Sequence, residues 1–315
     1  MIATSDDTAA ASGSVTDAAL PEQHPASSPG AGNAPAPTPS PISDTAAGAA
    51  RPRRFDVDCR LDYQVQATTH FILQVEAAHT PGQTIESEQL VVTPAVPLHR
   101  YEDQRTGNRF VRFDAQPGPL GIAYGARIAL QPPARRPDLP EWPVNQLPDE
   151  AVRYLMPTRY CESDHFSRAA QRLFGDVPQG AGRVRHVCDW IHENIEYKLG
   201  TSDATTAARD VFLNRAGVCR DFAHLGITFC RALNIPARLV VGYVHFDAPP
   251  PDFHAIFEVF LGGEWVLFDP TRLAPPERLV RIGTGHDAKD VAFATLFGPA
   301  TMLSMAPRIE EVQTG

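Results

Sequence analysis

The chain has 315 residues, room for one large domain or two ordinary ones, and its 43% hydrophobic and 21% charged residues are those of a globular protein. A net charge of -9 without a basic stripe argues against a nucleic-acid binder. Five cysteines, an odd number at irregular spacing and without a CxxC pair, argue against a disulfide framework or a zinc ribbon and favour a reducing compartment.

Met1 to Asp7 shows no basic or apolar leader pattern, and no apolar run is long enough to span a bilayer. A cytoplasmic protein with no nucleic-acid or membrane partner is therefore expected. Residues 1–52 are mostly Ala, Ser, Pro, Gly and Thr. Such a segment cannot bury enough surface to offset its ordering entropy, so a disordered tail is expected. From Arg53 the pattern becomes short strands. Leu61, Tyr63 and Val65 alternate with polar residues, as do Phe71, Leu73 and Val75. Leu90-Val91-Val92, Asn108 to Phe113 after a Thr106-Gly107 turn, and the alternating run from Ile122 to Leu130 follow. This predicts a small all-β domain over 53–133, with a packing or substrate-rim role. The proline-rich stretch 134–148 reads as a linker laid over a surface.

Residues 149–315 form a second, α+β region with a C-terminal extension. Val184, Val187, Cys188, Ile191 and Ile195 recur at helical spacing, which makes Cys188 a core residue, whereas Cys161 has no apolar period around it. A short helix over Ala207 to Leu213 delivers the chain to Gly217-Val218-Cys219-Arg220-Asp221-Phe222-Ala223-His224-Leu225. Phe222, Leu225, Gly226, Phe229 and Leu233 predict a buried helix there, ended by Asn234-Ile235-Pro236. Cys219 then stands at the helix N-terminus, where unpaired N–H groups and the dipole favour a thiolate. Asp221 suits a capping role in the first turn, and His224 reads as a packed, hydrogen-bonded histidine.

Past Pro236 the period falls to two. Arg238–Tyr243, His254–Leu261 and Glu264–Asp269 read as strands, the last two joined by a Gly262-Gly263 hairpin turn. His254 is eight residues before the turn and Asp269 six after it. The offset is even, so both side chains share a face, with a slip or bulge taking up the difference. A thiol, a base and an acceptor that orients the base are what nucleophilic catalysis needs. Two other motifs are weaker. Ile282 to Ala288 mimics a GxGxxA dinucleotide loop but lacks the chain for a βαβ unit. His224, His245, His254 and Cys230 have no tight metal-ligand spacing. No cofactor and no metal is expected.

Gly217 to Ala223, Asp252-Phe253-His254-Ala255 and Trp265-Val266-Leu267-Phe268-Asp269-Pro270-Thr271, in that order, resemble the transglutaminase-like superfamily. They are similar in particular to its bacterial branch with an N-terminal β-rich domain. Tyr154 to Cys161 resembles the segment that opens that branch's core. The resemblance implies a papain-like α+β core, a central helix packed on an antiparallel sheet, preceded by the small all-β domain. It also implies Cys219 as nucleophile, His254 as base and Asp269 as orienter. The family includes protein-glutamine transferases, peptidases, amidases and members without activity. The expected function is therefore thiol-dependent acyl transfer on amide bonds of a peptide or protein substrate through a thioester. A catalytically silent binding module on the same fold is the alternative. In one respect the chain departs from animal transglutaminases, which carry a tryptophan before the nucleophile's helix. Lys198 to Thr206 has no aromatic residue, so an oxyanion hole needs a second donor beside the Cys219 N–H, and hydrolysis is expected over cross-linking.

Overall fold

Strand β1 (Arg53–Val65) sets the first layer because its apolar residues alternate without a break: Phe55, Val57, Cys59, Leu61, Tyr63 and Val65 are all buried. The computed structural model describes residues 51–131, 136, 138–248 and 252–312. Residues 1–50 of the expected tail, and 132–135 and 137 of the proline-rich stretch, lie outside the described residues. Strands β2 (Thr69–Leu73), β3 (Gln83–Thr93), β4 (His99–Asp103), β5 (Asn108–Ala115) and β6 (Gly118–Leu130) complete the first half of the chain. The proline-rich stretch is a strap on the core where it is described. Leu139 is buried, its carbonyl accepts the Ala181 N–H at 2.9 Å, and Glu141 pairs with Arg183.

The helices follow: α1 (Asp149–Val152), α2 (Ser167–Phe174), α3 (Ala181–Asn194), α4 (Ala208–Asn214) and α5 (Cys219–Ala232), with the short strands β7 (Glu196–Tyr197) and β8 (Ala216–Gly217) between them. Helix α5 is buried on nearly every side, as its apolar residues require. Phe229 meets the rings of Phe166, Phe174, Trp190 and Phe212 at 5.1 to 6.1 Å. Gly226 lets the opposite face approach the sheet. A Cβ there would lie 2.6 Å from the Phe257 ring. The helix ends in a Schellman motif: Ile235 N–H donates to Cys230 O and Asn234 N–H to Arg231 O, both at 2.9 Å, with Asn234 left-handed at φ 62°.

Strands β9 (Ala237–Tyr243), β10 (His254–Leu261), β11 (Glu264–Phe268) and β12 (Val280–Gly285) form an antiparallel sheet in the order β11-β10-β9-β12. All eight residues of β10 are buried, including Glu258. Burial opposes the charge on Glu258, but Arg281 and Arg238, each 2.6 Å away, outweigh it and hold the carboxyl below its ordinary range. The last strands, β13 (Ala294–Phe297) and β14 (Ala300–Glu311), return to the first layer. Its two sheets run β14-β1-β6-β3 and β13-β2-β5-β4, so the C-terminal extension is built into the all-β layer. The sequence showed no sign of this, since β14 is an edge strand with most residues exposed and no apolar alternation. The chain is a mixed α and β structure with a β layer ahead of a helix-on-sheet core. No helix among the described residues is long and apolar enough to cross a membrane.

Candidate active site

The start of α5 is set by backbone pairing. β7 and β8 form a parallel pair that places Tyr197 beside Gly217, and the Lys198 N–H donates to Gly217 O at 2.9 Å. Val218 is extended and its N–H donates to Asp221 Oδ2 at 2.8 Å, so the buried Asp221 closes the first turn as expected. Gly217 is needed for this, because a Cβ would stand 2.7 Å from that of Asp221. Arg220 pins the preceding loop by donating to Asp203 O at 2.9 Å. Cys219 is thereby held at the first helical position, half-buried, with Sγ 3.9 Å from Phe253 O.

The sheet brings the other two residues to the same end. Gly262 and Gly263, at φ 58° and 89°, make the tight hairpin turn between β10 and β11. Their register pairs Phe257 with Phe268 and shows no shift, so the expected slip or bulge is absent. Extended by three residues, that register sets His254 opposite Thr271, two past Asp269. The ladder stops at Phe268, and Asp269 turns back toward His254 in a short turn. There its Oδ1 accepts the Thr271 N–H at 2.9 Å and hydroxyl at 2.7 Å. The free oxygen, Oδ2, accepts the His254 Nε2–H at 2.9 Å. This assignment of the proton follows from the network.

His254 and Asp269 side chains are 1% and 2% exposed, which matters because buried partners are weakly screened. Nδ1 of His254 makes no hydrogen bond, and the Cys219 sulfur lies near enough to act on the ring's charge. Burial disfavours the imidazolium, but Asp269 and Cys219 outweigh it and raise the His254 pKa to about 10. Phe246 covers the ring at 5.5 Å between centroids. The four other thiols are buried. Burial pushes Cys59 and Cys161 up to about 12, and Cys188 and Cys230 well above the ordinary thiol range.

Thus Cys219, His254 and Asp269 come together. His224 does not join them. It is fully buried, stacks on Tyr160 at 5.2 Å, and its Nε2 accepts the Ala288 N–H at 3.1 Å. Burial lowers its pKa to about 3, which keeps it a neutral acceptor. Cys230 lies in the core and the His245 side chain is 70% exposed; the described residues hold no cluster of three or more groups suited to a metal. Gly283 and Gly285 lie on β12, an antiparallel strand, and not in a strand-to-helix turn. Tyr197 was missed. It stands one residue before the aromatic-free loop, pairs with Gly217 and packs its ring on Phe222 at 5.7 Å between centroids, and burial with the nearby Cys219 sulfur raises its pKa. Only the β7–β8 pairing brings it there, and a two-residue strand leaves no periodic signal.

Residues 167–270 match the Transglutaminase-like superfamily and residues 53–131 the Bacterial transglutaminase, N-terminal domain family. A crystal structure from Cytophaga hutchinsonii, described as a "putative cysteine protease", is 39% identical, with a TM-score of 0.81 over 85% of this chain and 93% of its own. An uncharacterized Mycobacterium leprae protein is 26% identical over 250 residues, 73% of this chain and 87% of the relative. Another from Mycobacterium tuberculosis is 32% identical over 194 residues, 56% of this chain and 60% of the relative. The chain belongs to the transglutaminase-like superfamily, in the form that carries the bacterial N-terminal β layer.

Proposed function

We propose that the protein is a thiol-dependent acyl-transfer enzyme that opens amide bonds of peptides or proteins through a thioester on Cys219. One observation carries this reading. A half-exposed thiol at a helix start faces a buried imidazole whose Nε2 is tied to a carboxylate and whose Nδ1 has no nitrogen or oxygen partner. In this reading Nδ1 takes the thiol proton, Asp269 holds the ring and favours the imidazolium, and His254 returns the proton to the leaving amine. The pKa of about 10 on His254 fits an imidazolium at neutral pH.

Water is the proposed acceptor of the acyl group. The sequence argument for hydrolysis rested on the lack of an aromatic residue in Lys198–Thr206, and Tyr197 beside Cys219 removes that support. What favours hydrolysis is the description of the 39%-identical relative as a "putative cysteine protease". The test is intact-protein mass spectrometry after incubation with a panel of acetylated peptides, with and without a primary amine. The expected outcome is an acyl adduct that maps to Cys219, vanishes in Cys219→Ala and resolves mainly to free acid. Peptides that bind without any adduct would establish the silent binding module instead, and amide product in excess over acid would establish transamidation.

A further inference from the structure

One carboxylate close to the nucleophile has no cation to neutralise it among the described residues. Phe253 lies against Cys219 with its carbonyl oxygen 3.9 Å from Sγ, while its ring turns into the β layer against Tyr243 and Phe293. Asp252, the residue before it, is exposed, and its Oδ1 accepts the Phe253 N–H at 2.6 Å. The backbone N and O of one residue are less than about 4 Å apart, so these contacts put Oδ1 within about 10 Å of Sγ. That is within reach of a weakly screened charge in dilute salt. Among the described residues Asp252 has no ion-pair partner. The arginines that follow Cys219 and Thr271 are engaged elsewhere, Arg220 with Asp203 O and Ser202, Arg272 with Asp189. Although the residue is exposed, partial burial of the carboxyl raises its pKa, and a cation beside it would offset that cost.

We propose that Asp252 is a specificity-determining residue whose carboxylate draws to Cys219 those amide substrates that carry a cationic group close to the scissile bond. A lysine or arginine side chain, or a free amino group, supplies such a charge. The inference rests on Cys219 being the nucleophile. The charges of a thiolate and an imidazolium offset each other, and Asp269 is buried and tied to His254 and Thr271. Asp252 is the carboxylate left to meet a ligand there. In water a unit charge about 10 Å away favours a monovalent cation about twofold and disfavours an anion by the same factor. The effect grows as the ligand comes closer or displaces water.

Two thiol reagents of opposite fixed charge test this at the sulfur itself. Trimethylammonioethyl methanethiosulfonate and sulfonatoethyl methanethiosulfonate each form a disulfide with the thiolate and release methanesulfinate. Their rates at Cys219, taken at neutral pH and low salt with Cys219→Ala as the blank, give a cation-to-anion ratio. Both attack one sulfur, so a change in thiol reactivity alone cancels from the ratio. In folded variants, Asp252→Asn should lower it at least about fourfold, twofold for each sign of charge, and Asp252→Glu, which keeps the charge, should retain it. An unchanged ratio in Asp252→Asn would overturn the proposal. So would an equal fall in both variants, which would make the effect one of shape and not of charge. A wild-type protein that reacts with neither reagent at Cys219 would defeat the nucleophile reading itself, a separate and distinguishable failure.

Discussion

At the scale of single residues, burial decides which cysteine reacts. Cys59, Cys161, Cys188 and Cys230 are buried and their pKa values are raised, whereas Cys219 is half-exposed beside His254. Limiting iodoacetamide followed by peptide mapping should therefore label Cys219 first; equal labelling of Cys161 would contradict an activated thiol. A second prediction concerns pH. The folded pKa of His254, about 10, lies above the free imidazole value. Its contribution to stability is fully present below about pH 6.5 and is lost as pH rises through the folded value. The melting-temperature gap between the wild type and Asp269→Asn should thus narrow between about pH 6 and about pH 10, and a constant gap would show that the pair carries no such linkage. Cys219, His254 and Asp269 were legible because each sits in a motif at a helix start or strand end. Tyr197 was not, because its place depends on pairing with Gly217 across 20 residues.

At the scale of elements, α5 shows how a small residue positions the chemistry. Gly226 brings the helix against Phe257 of β10, the strand that begins with His254, so the packing contact and the thiol–imidazole contact lie on the same two elements. Gly226→Ala would crowd that contact and should cost about 1–3 kcal/mol in urea unfolding, the range for overpacked cores. No loss would mean that the helix can shift, and Cys219 alkylation should then slow instead. The helix and hairpin were readable in the sequence from their 3.6 and 2 periods and from Gly262-Gly263. Strands β4, β13 and β14 were not, because they are sheet edges with exposed side chains and no apolar alternation.

At the scale of the molecule, the β layer and the helix-on-sheet core share buried polar contacts. Tyr243 of β9 donates to Val75 O at 2.6 Å, and the Asn108 side chain makes two 2.8 Å hydrogen bonds to the Thr284 backbone. With β14 pairing along β1, the C-terminus also completes the N-terminal layer. The two layers should therefore unfold in one transition, and Tyr243→Phe should lower the stability of both by about 1–3 kcal/mol, the cost of leaving a buried carbonyl unpaired. Two separate transitions would contradict the coupling. None of these contacts was legible in the sequence, since each joins residues more than 100 positions apart.

The central claim is that His254, oriented by Asp269, activates Cys219, and thiol reactivity against pH tests it most directly. Iodoacetamide rates should be measured from acid to alkaline pH in the wild type, His254→Ala and Asp269→Asn, each shown to be folded. The account predicts fast wild-type alkylation at neutral pH, a marked slowing there in His254→Ala with recovery at alkaline pH, and an intermediate profile in Asp269→Asn. A His254→Ala profile superimposable on the wild type would show that this histidine is not the partner of the thiol.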